Sequence, residues 1–223
     1  MTIRRTWVVA VLSAVLTGLA IYAIDGLVAR WLQPVAAENR AVLGPFVSAV
    51  EFAFAFPVSK FATGLAIVVA SLVLFALGRR RVGWLLLFVG ATHLTARLIA
   101  GVLKNVFLRA RPAEGLAGGD WHGRFFIEGG SSFPSGHAVH FWALFFALSF
   151  AFPRLRVPAL VLAVCVSIAR VAVNDHYVSD VLASVSIAAF VACGYALWLL
   201  PRAARAQMQM PAALDEAAQS KVG

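Results

Sequence analysis

The chain has 223 residues, 61% of them hydrophobic and 13% charged, with a mean hydropathy of +0.86. A soluble domain is nearer ~45–50% apolar and ~25% charged, so the composition excludes an ordinary soluble domain and indicates an integral membrane protein. The net charge of +9 and a pI near 10.8 would suit nucleic acid. However, the Lys and Arg residues sit mostly at the ends of apolar runs, not in a stripe interleaved with aromatics. That arrangement argues for membrane topology and an anionic substrate, with no nucleic-acid partner.

Six apolar runs approach the ~20 residues that a bilayer core requires: about 7–24, 58–77, 83–103, 137–152, 157–173 and 180–200. In lipid the backbone must satisfy its own hydrogen bonds, so all six are predicted to be helices. The expected fold class is all-α integral membrane: six transmembrane helices with an amphipathic interfacial segment after the first. The first run has the basic start and apolar core of a signal peptide, but it is long enough to span and five runs follow it, so it is read as an uncleaved helix. Between the first two runs, 25–57 scatters Asp25, Arg30, Trp31, Glu38, Arg40 and Glu51 among apolar residues, which reads as amphipathic segments at the interface. Such a segment can be a packing and anchoring element or a lipid-entry gate. Residues 201–223 are Ala/Gln-rich and polar and are expected to form a frayed tail. Cys165 and Cys193 lie within apolar runs and are read as small core residues.

Orientation follows from the basic residues. With the N-terminus in the cytoplasm, ten Lys/Arg residues fall inside and nine outside, while eight of the ten acids fall outside. The short connectors decide this near tie: 78–81 (Gly-Arg-Arg-Arg) and 153–156 (Pro-Arg-Leu-Arg) carry no acid. Both termini are therefore expected inside, which puts 104–136 and 174–179 together on the outer side.

Three polar clusters border the apolar runs, where ionisable residues are functional candidates. Lys104 and Arg111 are seven apart, two turns if the helix continues, and Pro112 disfavours helix at Arg111. Two such cations suit an anion, and equally suit snorkelling anchors. In 129–137, Pro134 and Gly136 make a turn, Ser135 can cap the next helix, and backbone N–H groups there form an anion site. His137 stands in that first turn, where a proton could reach a leaving group, although an ordinary capped helix start looks the same. In 170–180, His176 and Asp180 are four apart, so on a helix the carboxylate reaches the imidazole. Arg170 adds a third cation. Together these supply the groups that phosphoryl transfer without a metal requires.

The three clusters resemble the signature of the type 2 phosphatidic acid phosphatase superfamily, the lipid phosphate phosphatases: Lys-x6-Arg-Pro, Pro-Ser-Gly-His and Ser-Arg-x5-His-x3-Asp. Here they read Lys104…Arg111-Pro112, Pro134-Ser135-Gly136-His137 and Arg170…His176…Asp180, with Ala169 in place of the Ser. The resemblance implies that His176 attacks phosphorus to form a phosphohistidine, that Asp180 orients it, and that His137 protonates the leaving oxygen. It implies that Lys104, Arg111, Arg170, Ser135 and the Gly136 amide hold the phosphate, with no metal or cofactor. It implies one membrane phosphatase domain over 1–200, its motifs within 104–180, followed by the 201–223 cytoplasmic tail. The lipid bilayer and a membrane lipid are the expected partners, and the sequence carries no signal for oligomeric state. The resemblance places the protein in a bacterial inner membrane, its site on the outer face. Phosphatidic acid, phosphatidylglycerophosphate, undecaprenyl pyrophosphate and lipid A phosphates are the implied substrate classes. A phosphotransferase using another lipid as acceptor, or a scaffold with a vestigial site, would keep the same residues.

Around this core, Arg97 is expected to pair or line a cavity, and His93 and His140 to be core or groove residues. Tyr177 and Asp175 can shape the pocket, with a helix cap the favoured reading of Asp175. Glu114, Asp120, His122, Arg124 and Glu128 form a polar loop suited to head-group selection or simple solvation.

Overall fold

A computed structural model describes residues 1–117, 119 and 123–208. Nine α-helices are described: α1 (Ile3–Ala23), α2 (Asp25–Leu32), α3 (Ala36–Ala53), α4 (Ala62–Ala76), α5 (Arg80–Phe107), α6 (Pro112–Ala117), α7 (Gly136–Ala151), α8 (Arg156–Ala172) and α9 (Val178–Met208). No strand occurs among the described residues. Each predicted apolar run holds one helix. Among the described residues, four spans are long and apolar enough to cross a membrane: Ile3–Ala23, Arg80–Ala117, Pro153–Ala172 and Val178–Ala203. The other two runs hold shorter apolar helices, Ala62–Ala76 and Gly136–Ala151. α7 is short because Ser135 caps its start and Pro153 follows its last residues.

α5, α7 and α9 pack on one another at the centre, with α1 along α9, α4 along α5 and α8 along α7. Small residues set these approaches. The buried face of α1 is Thr6, Ala10, Ser13, Thr17 and Ala20, a helical stripe that meets Ala188, Ala189 and Ala192 of α9. Ser186 donates to the Ala10 carbonyl across that seam at 2.9 Å. Without a hydrophobic drive between helices in lipid, such close packing and interhelical bonding carry association. Where α4 crosses α5, a Cβ on Gly90 would lie 3.2 Å from the Gly64 carbonyl and closer still to Val68, so glycine is required there. Cys193 is buried as expected; Cys165 is exposed on α8 instead of joining the core, because the covered face of that helix runs through Ala163, Val166 and Ala169.

Two expectations about chain breaks change. α5 stops at Phe107, four residues before Arg111, with Leu108 in the left-handed region at φ 42°. Lys104 and Arg111 therefore do not share a helix face; Arg111 reaches the site from the non-helical stretch 108–111. That stretch is held by Ala110 N–H to Arg124 O (2.9 Å), Ile127 N–H to Leu108 O (3.0 Å) and Ser132 N–H to Arg109 O (2.9 Å). At the other end, α9 continues through Pro201 to Met208, so 201–208 are helical. Residues 209–223 of the predicted tail lie outside the described residues, as do Asp120 and His122 of the polar loop.

Candidate active site

The three clusters meet where the start of α7, the start of α9 and the ends of α5 and α8 come together. The turn before α7 is bonded directly to α9: Ser135 N–H donates to Asp180 O (3.1 Å), and Ser184 Oγ donates to both Ser135 O (2.9 Å) and Asp180 O (2.8 Å). Ser135 also caps α7, its hydroxyl accepting from Ala138 N–H.

His176 and Asp180 are both buried, with His176 Nδ1 3.4 Å from Asp180 Oδ2. The same oxygen accepts from Ser132 Oγ (2.5 Å) and from Tyr177 N–H (2.9 Å). Asp180 Oδ1 accepts from Arg109 Nη1 at 2.6 Å. This leaves Nε2 of His176 as the nitrogen not engaged by the carboxylate. Burial moves the His176 imidazole below its ordinary range, and the hydrogen bond and charge of Asp180 offset only part of that.

Asp175 is not a helix cap; it is the centre of a guanidinium cluster. Its carboxylate pairs with Arg40 at 2.7 Å, with Arg170 at 2.8 Å and with Arg111 at 4.0 Å. Burial alone would raise the Asp175 carboxyl, but the Arg40 hydrogen bond and the charges of Arg170, Arg40 and Arg111 outweigh it and hold the group below the usual carboxylate range. Three cations converging on one carboxylate leave an excess of positive charge for an incoming anion.

Lys104 donates to the carbonyl of Ser131 and lies 3.4 Å from that of Ser132. Arg97, two turns earlier on α5, is buried, donates to the Gly136 carbonyl and sits 5.1 Å over the Phe56 ring. A Cβ on Gly136 would lie 3.2 Å from Arg97 Nη1 and 3.9 Å from Lys104 Cε, so both cations face the Gly136 backbone. His137 Nε2 contacts Glu51 Oε1, and its ring stacks on Phe56 at 4.6 Å. His93 and His140 are core residues, hydrogen-bonded to each other at 2.9 Å. Ala169 is buried beside Arg170. Tyr177 is buried with its ring 4.0 Å from the Arg109 guanidinium, whereas Glu114, Arg124 and Glu128 are exposed.

The eight site residues expected from the sequence, Lys104, Arg111, Ser135, Gly136, His137, Arg170, His176 and Asp180, thus lie in one region. The sequence reading missed others. Arg109 is fully buried between two carboxylates, bonding Asp180 on one side and Asp25 (2.7 Å) on the other. Asp25 also accepts from Ser179 N–H at 3.0 Å. Ser132 touches Asp180 directly. Asp25, Arg40 and Glu51 come from 25–57, which therefore contributes charges to the site beyond packing and anchoring. The available signal was their charge within an apolar stretch, but spacing alone does not say where a separate segment folds. Among the described residues, no group of three or more His, Cys, Asp or Glu side chains is arranged to hold a metal ion.

Among the described residues, fold and site define a helical membrane protein with a cation-rich histidine–carboxylate centre at one end of its bundle. The chain belongs to the PAP2 superfamily, whose sequence pattern matches residues 82–204, more than half of its length. It is 32% identical over 136 residues to a protein named lipid A 1-phosphatase from Rhizobium johnstonii, covering 54% of each chain. It is 34% identical over 110 residues to another of that name from Rhizobium etli, covering 47% of this chain and 46% of that one. The chain spans about half the length of the curated relatives it matches. No solved structure matches it significantly.

Proposed function

We propose that the protein is a membrane phosphatase that removes phosphate from a lipid phosphate or pyrophosphate through a phosphohistidine on His176. The observation that carries this reading is the buried His176–Asp180 pair, which leaves Nε2 clear of the carboxylate while the charges of Lys104 and Arg170 act on the same imidazole. In the first step Nε2 attacks phosphorus, the bond to the lipid oxygen breaks, and His137 gives that oxygen a proton. In the second, water attacks phosphorus, its proton passes to His137, and the N–P bond pair returns to His176. Asp180 orients the nucleophile, and Lys104, Arg111, Arg170, Ser135 and the Gly136 amide hold the equatorial oxygens. Every one of these charges is supplied by a side chain or a backbone N–H, so turnover needs no added metal.

All six apolar helices cross the bilayer, the two short ones by leaning on flanking residues, as one domain over 1–200. Both termini face the cytoplasm, and the site opens to the outer leaflet of a bacterial inner membrane. The names of the two relatives favour a lipid A phosphate within the substrate range. The test is phosphate release by purified protein in detergent with EDTA. The panel is phosphatidic acid, phosphatidylglycerophosphate, undecaprenyl pyrophosphate and lipid A, with wild type beside His176→Ala. Release that vanishes in the variant supports the reading and ranks the substrates; no release from any lipid sinks it.

A further inference from the structure

We propose that Glu51 is a positioning residue for His137: its carboxylate holds the Nε2 side of the ring so that Nδ1 exchanges the proton with the leaving oxygen. The assignment rests on the phosphatase reading above. Glu51 lies outside the residues matched by the family pattern, which begin at 82. Its carboxylate nonetheless contacts His137 Nε2, with both side chains largely covered, at 26% and 15% exposure.

The segment that delivers it is built for that contact. α3 ends in a Schellman-type turn: Ala55 N–H bonds Phe52 O at 3.0 Å, Phe56 N–H bonds Glu51 O at 2.9 Å, and Ala55 takes φ 51°. This turn brings two groups of one short stretch to a single imidazole, the Glu51 carboxylate to its edge and the Phe56 ring to its face, 4.6 Å away and inclined by 20°. The start of α3 is tied to the other half of the site by Asn39 to Ala172 O (2.8 Å) and by Arg40 to Asp175 (2.7 Å) and Val173 O (3.2 Å). The end of α3 is tied to α4 by Thr63 Oγ1 to Phe54 O at 2.5 Å. Each of the two catalytic histidines of the proposed mechanism thus has its own carboxylate, Asp180 for His176 and Glu51 for His137.

The chemistry follows from which nitrogen is engaged. A carboxylate bonded to one ring nitrogen fixes the tautomer and balances the charge of the doubly protonated ring. In the first step the Nδ1 proton moves to the lipid oxygen as its bond to phosphorus breaks, leaving an alcohol and a neutral ring. In the second, Nδ1 takes a proton from the attacking water. Nε2–H stays on Glu51 throughout, and no net proton is gained or lost over the cycle. A lipid alkoxide needs that proton to leave; p-nitrophenolate does not.

The test compares phosphatidic acid with p-nitrophenyl phosphate, for wild type, Glu51→Ala and Glu51→Gln in detergent. The expected result for Glu51→Ala is a fall in kcat on phosphatidic acid of roughly ten-fold or more with KM little changed, whereas p-nitrophenolate is released in the first turnover at near the wild-type rate, because with that substrate only the second step needs the ring. Glu51→Gln recovers part of the loss, because its amide oxygen accepts the same N–H. An equal loss in first-turnover release of p-nitrophenolate in both variants, or no loss on either substrate, would overturn the assignment while leaving the phosphatase reading intact. Faster turnover on both would overturn it too, by showing Glu51 to be a blocking anion in the phosphate site. Where wild type favours another lipid of the panel above, that lipid replaces phosphatidic acid; wild-type inactivity on every lipid of the panel would remove the phosphatase reading and this assignment with it.

Discussion

The Asp180 carboxylate takes contacts from Arg109, Ser132, the Tyr177 N–H and His176, and Arg109 passes the linkage on to Asp25. A fully buried guanidinium between two fully buried carboxylates must keep both partners, since removing one leaves a buried charge uncompensated. Arg109→Ala is therefore expected to destabilise the protein by about 3–5 kcal/mol, read as a large fall in detergent melting temperature. Asp25→Asn should also lower the melting temperature, although Asp25 does not touch His176. The pH dependence of turnover follows from His176. In the proposed mechanism its neutral form is the nucleophile, and burial keeps that form populated as pH falls through the ordinary histidine range. The acid limb of kcat against pH is thus expected below ~6.5; a limb at or above that value would contradict the assignment. That the candidate site residues would lie together was legible at this scale because three motifs repeat a known spacing. Arg109 and Asp25 were not, because a lone cation at a helix end and a lone acid after a span look the same whether they face water or each other.

At the scale of elements, α2 and α3 form a strap that supplies the outer wall of the site. Asn174 locks the strap to the loop before α9: it adopts φ 57°, a conformation that Asn tolerates, and donates to Ala29 O (3.1 Å) and Gln33 Oε1 (2.7 Å). Asn174→Ala loses both bonds and gains left-handed strain, so a stability loss of about 1–3 kcal/mol is expected, measured by thermal unfolding in detergent. Arg40 is more than half exposed, so Arg40→Ala should change stability by at most about 1 kcal/mol. Its effect on KM for an anionic lipid should be the larger one, because it thins the cation cluster. The helices of the bundle were readable from hydropathy, since a lipid-spanning segment declares itself by length and composition. The strap was readable only as amphipathic: its partners are more than 80 residues away in sequence, as Asp25–Arg109 and Glu51–His137 show. The early stop of α5 was hidden for a related reason. Leu108 has no intrinsic taste for the left-handed region, and its turn is fixed by the 123–132 loop that folds back onto 107–110.

At the scale of the whole molecule, the buried charged network gathers at one end of the bundle, which suits a lipid whose head group enters while its chains stay in the bilayer. The orientation can be read by exchanging Cys165 and Cys193 for Ala and placing a single cysteine at Gly78 or at Gly129. A membrane-impermeant maleimide applied to spheroplasts should label the second and spare the first. The central claim is a covalent phosphohistidine, and the most direct measurement traps it. Purified protein is mixed with phosphatidic acid carrying labelled phosphate and quenched rapidly in base. Wild type should retain an alkali-stable, acid-labile phosphoryl group on the peptide containing His176, with His176→Ala retaining none. Wild type that releases phosphate with no trapped label, or with label on a peptide lacking His176, would contradict the account.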